Sequence, residues 1–191
     1  NNNGSSATPT VNLGTGLATY TGGATTAGDA TITMASTAGL AAGMPITGTN
    51  IPAGTFIQQV VDGTTVILTQ NATGSTGGLT FTRWGSLKLT GNITATSSNV
   101  TTVATISSTG SVLDLNGATR TLNVAPVTIN GNTQIAPITP TLSISSMIYD
   151  SAASGAGLTK TGNGLLQLSG ANSTYSGGVN VQAGGLLIAG S

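Results

Sequence analysis

The sequence contains no cysteine, no histidine and no glutamate. Without cysteine there is neither a disulfide framework nor a thiolate ligand for a metal ion. Without histidine, a Ser-His catalytic triad and a histidine-based zinc site are both excluded. Stability must therefore come from burial and backbone pairing, and we predict no catalytic residue, no metal site and no cofactor.

Charged residues are also scarce. They make up 4% of the chain, and the formal net charge is zero. A nucleic-acid-binding surface needs several Lys or Arg side chains, and a membrane-surface helix needs a basic face. The longest aliphatic runs are far shorter than the roughly 18 apolar residues that span a bilayer. We therefore expect neither a nucleic-acid partner nor membrane insertion of this segment.

The acidic residues are too far apart in sequence to predict an enzyme. They are Asp29, Asp62, Asp114 and Asp150, about 30 to 50 positions from one another. Glycoside hydrolysis needs two carboxylates at one bond, and a calcium-assisted lyase needs a cluster of acids. Aromatic residues, at 3% of the chain, are too scattered to form a sugar-binding platform. We predict a non-enzymatic protein.

The densest polar group comprises Asp114, Asn116 and Arg120. One interpretation is that these side chains hold a cation or a sugar. The alternative, which we favour, is structural: Asp114 faces away from its aliphatic neighbours, and Asn116 with the following glycine forms a turn.

Alternation of apolar and polar residues predicts an all-β fold. At most, residues 38–44 could form a short turn of helix. Asp-Gly or Asn-Gly dipeptides at 62–63, 116–117 and 130–131 predict tight turns. Short strands are predicted at 10–13, 31–34, 64–69, 79–82, 87–90 and 113–115.

Three segments are predicted from these strands and turns. Residues 1–26 form a lead whose residues 10–13 are a candidate strand for exchange with another chain. Residues 27–83 form a small β barrel or sandwich module, and residues 84–191 form a region of stacked strands or a parallel β-helix. Trp84, at the boundary, is expected to be a core or interface residue.

A repeat motif occupies the C-terminal third. Residues 157–164 read Gly-Leu-Thr-Lys-Thr-Gly-Asn-Gly, 166–172 read Leu-Gln-Leu-Ser-Gly-Ala-Asn, 174–178 read Thr-Tyr-Ser-Gly-Gly, and 179–186 read Val-Asn-Val-Gln-Ala-Gly-Gly-Leu. The segment from about 157 to 190 resembles the passenger-associated repeat of bacterial autotransporters. It departs from the usual pattern in having Leu165 before the strand and Ser173 as an additional residue. Residues 112–122 more loosely resemble the coils that precede such repeats.

The resemblance implies a secreted or cell-surface β-helix that folds coil by coil as it emerges. In such a coil the apolar residues of each pair 166/168, 179/181 and 186/188 point inward, while Gln167, Asn180 and Leu187 point outward. Lys160 is expected to cover a coil face, and Tyr175 to pack at a corner. Since a coil cannot bury its face alone, the end at 184–191 is expected to meet a further coil, a cap or a neighbouring chain.

The earlier module carries a second, weaker likeness. The phrases Gly-Met-Pro-Ile-Thr-Gly at 43–48 and Ile-Pro-Ala-Gly-Thr at 51–55 resemble β modules of very large bacterial surface proteins. No activity follows from this likeness.

Together these features predict an extracellular or bacterial cell-surface protein with a structural or adhesive role. Its expected partners are neighbouring repeats of a longer chain, further copies of itself, or a host or surface ligand. The alternative is a self-assembling subunit of an extracellular fibre or sheath, formed through strand exchange.

Overall fold

The computed structural model describes residues 10–13, 18–40, 42–83, 85–108, 111–133, 138–150, 152, 154–170, 173 and 175–189. These residues form strands, turns and bends and contain no helix, which confirms the predicted all-β class. Within these ranges, nothing helical is long and apolar enough to cross a membrane. Trp84 lies outside the described residues.

The chain divides into two compact units. The N-terminal unit comprises Gly14–Ser86 with Gly110–Val112, and the coil unit comprises Asn1–Leu13, Leu87–Thr109 and Leu113–Ser191. The described residues of the predicted lead are therefore divided between the two units, with 10–13 in the coil unit and 18–26 in the N-terminal unit.

The N-terminal unit is one antiparallel sheet of six strands in the order β4-β7-β2-β3-β6-β5. Its strands are β2 (Ala18–Thr25), β3 (Thr31–Thr33), β4 (Ile46–Gly48), β5 (Ile57–Val60), β6 (Thr65–Leu68) and β7 (Thr76–Arg83). Irregular register where β2 pairs with β7 and β5 with β6 bends the sheet, as bulges do. The described part of 38–44 forms turns rather than helix.

The core of this sheet is centred on Phe81, which is fully buried. A methyl group added at Gly23 would overlap the Phe81 ring, so the absence of a side chain there lets β2 cross directly over the aromatic ring. The remaining buried members of this core are Ile32, Met34, Ile46, Ile57, Val66, Leu68 and Leu79.

The other twelve strands belong to the coil unit, although β8 and β11 begin in residues assigned to the N-terminal unit. They are β1 (Thr10–Asn12), β8 (Gly85–Lys88), β9 (Ile93–Ser97), β10 (Ala104–Ser107), β11 (Ser111–Asp114), β12 (Arg120–Val127), β13 (Leu142–Ile144), β14 (Met147–Tyr149), β15 (Leu158–Thr161), β16 (Leu165–Leu168), β17 (Val179–Val181) and β18 (Gly185–Ile188).

These strands form three faces that the chain visits in turn. Face 1 has the order β8-β11-β14, face 2 the order β9-β12-β15-β17, and face 3 the order β1-β10-β13-β16-β18. Successive coils are therefore β8–β10, β11–β13, β14–β16 and β17–β18, which we number coils 1 to 4. The pairings on faces 2 and 3 are parallel, as a β-helix requires.

Register aligns the inward side chains of successive coils into columns. On face 3, one column contains Ala104, Leu142, Leu166 and Leu186, and the next contains Val11, Ile106, Ile144, Leu168 and Ile188. Most members are buried in a single apolar cluster, which also includes Leu113, Leu115 and Leu122. Because the β-strand has a period of two residues, Gln167 and Leu187 lie in the outward row between these columns.

Candidate functional site

The repeat segment occupies coils 3 and 4. Leu166 is fully buried and Leu168 nearly so, whereas Gln167 between them is partly exposed, as the alternation predicted. In coil 4, Val181 and Ile188 are in register with inward positions of coil 3 but remain exposed. Coil 4 therefore has the alternation of an inner coil. Among the described residues, no further coil covers it.

Lys160 does not cover the outside of a coil, so that prediction is wrong. It pairs in register with Leu122 of coil 2 and Val181 of coil 4, and its side chain is fully buried. Its Nζ donates to the carbonyl oxygens of Thr161 (2.9 Å), Gly162 (2.6 Å) and Ala183 (2.9 Å). The ammonium group thus links the corner of coil 3 to the corner of coil 4.

Burial lowers the pKa of Lys160, because removal from water disfavours the charged form. The three carbonyl oxygens oppose this effect by accepting hydrogen bonds from the charged group. An ammonium with all three donors occupied and no access to solvent is poorly arranged to attack a substrate. The arrangement is suited to stabilising the coil corner.

Glycines of the motif allow the corners to stack closely. A methyl group at Gly164 would overlap the carbonyl group of Ala125 in coil 2. Gly184 has a φ of 72° and lies against the corner at Gly162–Gly164 in the same way. The glycine spacing of the motif therefore follows from backbone contact between successive corners.

Tyr175 packs against the apolar cluster of the coil unit, as predicted for a corner residue. Burial raises the pKa of its hydroxyl group. Its neighbours Asn172 and Thr174 in the motif lie outside the described residues.

Two aspartates that are distant in sequence approach one corner of the coil unit. Asp114 ends β11 and Asp150 follows β14, and both side chains are almost fully buried. Asp114 Oδ1 accepts a hydrogen bond from Asn116 N (2.8 Å). Arg120 Nε donates to the carbonyl of Leu115 at 2.9 Å, on the same turn.

Asp150 was not predicted to join this group. Its Oδ1 accepts from Gly117 N (2.9 Å), and its Oδ2 accepts from Ser154 N (2.9 Å) and Ser154 Oγ (3.1 Å). Burial alone would raise the pKa of Asp150, but these donors outweigh it and the pKa is lowered. The run of Ser, Ala and Gly after Asp150 is typical of a loop whose amides bond to a preceding carboxylate. No residue near Asp150 in the sequence indicates that it also bonds to Gly117, 33 positions away.

The pair also affects Tyr149, whose pKa is raised to about 12 by burial and then by the charges of Asp114 and Asp150. The carboxylates engage backbone amides of turns, and Asn116 and Gly117 both have positive φ values as the dipeptide predicted. In the part of the chain that the structure describes, no three His, Cys, Asp or Glu residues are grouped as a metal site would require. The structural interpretation of Asp114, Asn116 and Arg120 therefore has the stronger support.

The other two aspartates serve exposed turns of the N-terminal unit. Asp29 Oδ1 accepts from Thr31 N (2.8 Å), and Asp62 Oδ1 accepts from Thr64 N (2.7 Å). These hydrogen bonds lower both pKa values. Both carboxylates therefore close local turns.

The coil unit has the architecture of a parallel β-helix, in which short strands of successive coils pair on several faces. The family model of the passenger-associated-transport-repeat matches residues 158–188, which run from β15 to β18. Residues 158–188 are therefore similar to this repeat, at the position that the motif predicted. No curated protein and no solved structure shows significant similarity to the chain.

Proposed function

We propose that this chain is a non-enzymatic structural and adhesive segment of an extracellular or bacterial cell-surface protein, with an organisation like that of an autotransporter passenger. The observation that carries the proposal is the passenger-associated repeat at 158–188, stacked in register on the coils before it. A repeat of this family implies a secreted or surface-displayed protein.

The physical properties of the coils support a structural role. The two inward columns of face 3 are aliphatic, and each parallel pairing adds backbone hydrogen bonds to the previous coil. Repetition of such a unit lengthens the stack coil by coil. The outward row of face 3 contains Thr10, Thr105, Ser143 and Gln167 before it ends at Leu187. Most of this row is polar and uncharged, which suits many weak adhesive contacts.

The polar groups of the coil unit support a non-catalytic role. Asp114, Asp150 and Lys160 are all buried, and each hydrogen-bonds backbone groups at a corner. A general acid or nucleophile must reach its substrate. These groups instead satisfy amides and carbonyls that stacking would otherwise leave unpaired.

Surface display tests the proposal. The chain is placed between a signal peptide and an autotransporter barrel in a Gram-negative host, with an epitope inserted at the exposed Asn130–Gly131 turn. We expect antibody to label intact cells. Adhesion of the same cells to uncoated and glycan-coated surfaces is then compared with that of cells displaying the barrel alone.

Two glycine variants link display to coil stacking. Gly164→Val should reduce display, because its side chain would overlap the Ala125 carbonyl. Gly91→Val is the matched control, since nothing lies within 4 Å of a methyl group at that position. Labelling of the wild-type chain only after lysis would contradict surface display, and unchanged adhesion would restrict the role to structure.

A second candidate function is a subunit of an extracellular fibre or sheath. The observation that favours it is the exposure of large aliphatic side chains at both ends of one column of face 3, at Val11 and Ile188. Exposed strand edges with aliphatic side chains favour association with another chain.

A further inference from the structure

The two ends of the coil unit expose opposite ends of the same columns. Val11 begins and Ile188 ends one inward column of face 3, and their side chains are 53% and 61% exposed. Ile93 begins and Val181 ends a column of face 2, and Val181 is 42% exposed. One end of each column could therefore continue the other.

An apolar hollow lies at the end that begins with β1. β1 is the last strand of face 3 at this end, whereas the last described strand of face 2 is β9, one coil further in. The resulting cavity of about 200 Å³ is bordered mainly by Val11, Ile93, Ala95, Ala104, Ile106 and Leu142. Among the described residues, no face 2 strand lies beside β1.

Coil 4 has a strand on face 2 as well as one on face 3. Within the chain, β17 adds to β15 on face 2 and β18 adds to β16 on face 3. The same step at the other end would set β17 beside β9 and β18 beside β10. Ile188 would then take the place of Val11 against Ile106, and Val181 would lie against Ile93 in the hollow.

We propose that coil 4 of one copy of this chain docks on coil 1 of a second copy, fills the hollow and displaces β1. In a single copy, β1 therefore pairs with the edge of β10 only until coil 4 of a second copy binds there. This differs from the predicted exchange, in which residues 10–13 would be the donated strand, because in the structure these residues pair with β10 of their own chain.

Displacement is favoured by the residues that each occupant brings. β1 has three residues, all exposed, of which one is aliphatic, and Leu13 after it is only partly buried against the coil core. Coil 4 brings Val181, Leu186 and Ile188 in a register already used between coils 3 and 4. Since burial of apolar area and parallel pairing on two faces both increase, the exchanged form gains interactions that β1 alone cannot provide.

Such an interface is heterologous, because each copy uses one end to bind the other end of the next copy. Heterologous contacts that do not close into a ring produce open filaments. The inference therefore deepens the second candidate function and rests on it, while the surface-display experiment tests the first candidate independently.

Association of the purified full chain is the first test, by analytical ultracentrifugation and electron microscopy over a range of protein concentrations. We expect linear assemblies that grow with concentration. Ile188→Asp should raise the concentration needed for assembly by at least about tenfold, because it places a carboxylate against Ile106. Leu187→Asp, on the outward row of the same strand, is the matched control and should assemble as the wild type does.

A reversible crosslink tests the displacement itself. Val11 and Ile106 are register partners, and the chain has no cysteine, so Val11→Cys with Ile106→Cys introduces one defined pair. The oxidised form should stay monomeric, and reduction of the same sample should restore assembly. The single variant Val11→Cys should assemble in both conditions.

Three results would overturn the proposal. A wild-type chain that is monomeric at every concentration has no docking site for coil 4. Assembly of the oxidised double variant shows that β1 is not displaced. Equal loss of assembly in Ile188→Asp and Leu187→Asp shows that the inward column does not form the contact.

Discussion

The two units use the same scarce charges in opposite ways. In the N-terminal unit, Asp29 and Asp62 are exposed and accept hydrogen bonds from amides two residues further along the chain. In the coil unit, Asp150 and Lys160 are buried and bond groups 33 and 23 positions away, respectively. The two exposed carboxylates close local turns, whereas the two buried groups join one corner of the coils to a neighbouring corner.

The difference follows from how each unit pairs its strands. Antiparallel neighbours are joined by short turns that remain in contact with solvent, so water satisfies the remaining backbone groups. Parallel coils stack corner on corner and exclude water from the backbone at those positions. A buried ionised side chain that pairs with several of these backbone groups then stabilises the corner in spite of its desolvation cost.

The largest effect is expected in the aromatic core of the N-terminal unit. Phe81→Ala should destabilise this unit by about 3–5 kcal/mol, because it removes a fully buried ring and leaves a cavity beside Gly23. Loss of amide protection in β2 and β7, measured by hydrogen exchange, checks the expectation. Ile138→Ala, at a side chain that is 84% exposed, is the control. A change in β2 and β7 as small as the control's would mean that Phe81 does not anchor the sheet.

Lys160→Met should have the next largest effect, about 2–4 kcal/mol in the coil unit. Methionine keeps the apolar stem but leaves the carbonyls of Thr161, Gly162 and Ala183 without their donor. Protection of the amides in β15 to β18 is the measurement. Lys88→Met is the matched control, because Lys88 is exposed, and it should change protection very little. Equal amide protection in the two variants would show that Lys160 does not stabilise the corners of coils 3 and 4.

The paired variants Asp150→Ala and Asp62→Ala test the comparison of aspartates directly. Asp150→Ala should cost about 2 kcal/mol, because the amides of Gly117 and Ser154 lose a buried acceptor. Asp62→Ala should have a smaller effect, since water can replace an exposed carboxylate at that turn. Unfolding in urea, followed by hydrogen exchange in each unit, distinguishes them. A larger loss of stability in Asp62→Ala than in Asp150→Ala would contradict the expectation that the buried carboxylate contributes more.

The same two variants should change acid sensitivity in the same direction but in different units. The folded pKa values of Asp150 and Asp62 are both lowered, so each group contributes stability above about pH 4 that is lost as pH falls through the folded value. Asp150→Ala should flatten the acid dependence of the coil unit only, and Asp62→Ala that of the N-terminal unit only. Stability of each unit measured between pH 7 and pH 2 checks this. The same response in both units would contradict it.

The smallest effect is expected at high pH. The pKa of Tyr149 is raised from 10.0 to about 12, so its neutral form contributes stability that is complete below about pH 10 and is lost as pH rises towards 12. Tyr149→Phe should remove the latest tyrosine step in an ultraviolet titration of the folded protein. Tyr20→Phe, in the N-terminal unit, is the control. An unchanged late step in Tyr149→Phe would show that this step does not come from the Tyr149 hydroxyl group.

Short-range patterns in the sequence predicted much of the fold. Alternation around Gln167 assigned Leu166 and Leu168 to the interior, because a strand has a fixed period of two residues. The Asn116–Gly117 and Asn130–Gly131 turns were predicted because these residues tolerate positive φ values, which they adopt. The spacing of the repeat motif identified the segment that the family model matches.

Long-range register could not be predicted from those patterns. Nothing near Thr10–Asn12 indicates that it pairs with β10, more than 90 positions away, rather than with another chain. Nothing near Asp150 indicates that it reaches Gly117. The position of Lys160 was predicted wrongly because a lysine in a polar stretch is normally solvated, and only the corner carbonyls of coils 3 and 4 make burial acceptable.

The sequence by itself therefore determined that the chain is all-β, with aliphatic alternation, glycine turns and few ionisable groups. These properties depend on neighbours within a few residues. Only the tertiary structure decided which corners meet and which charges are buried there, because parallel coils pair residues that are tens of positions apart.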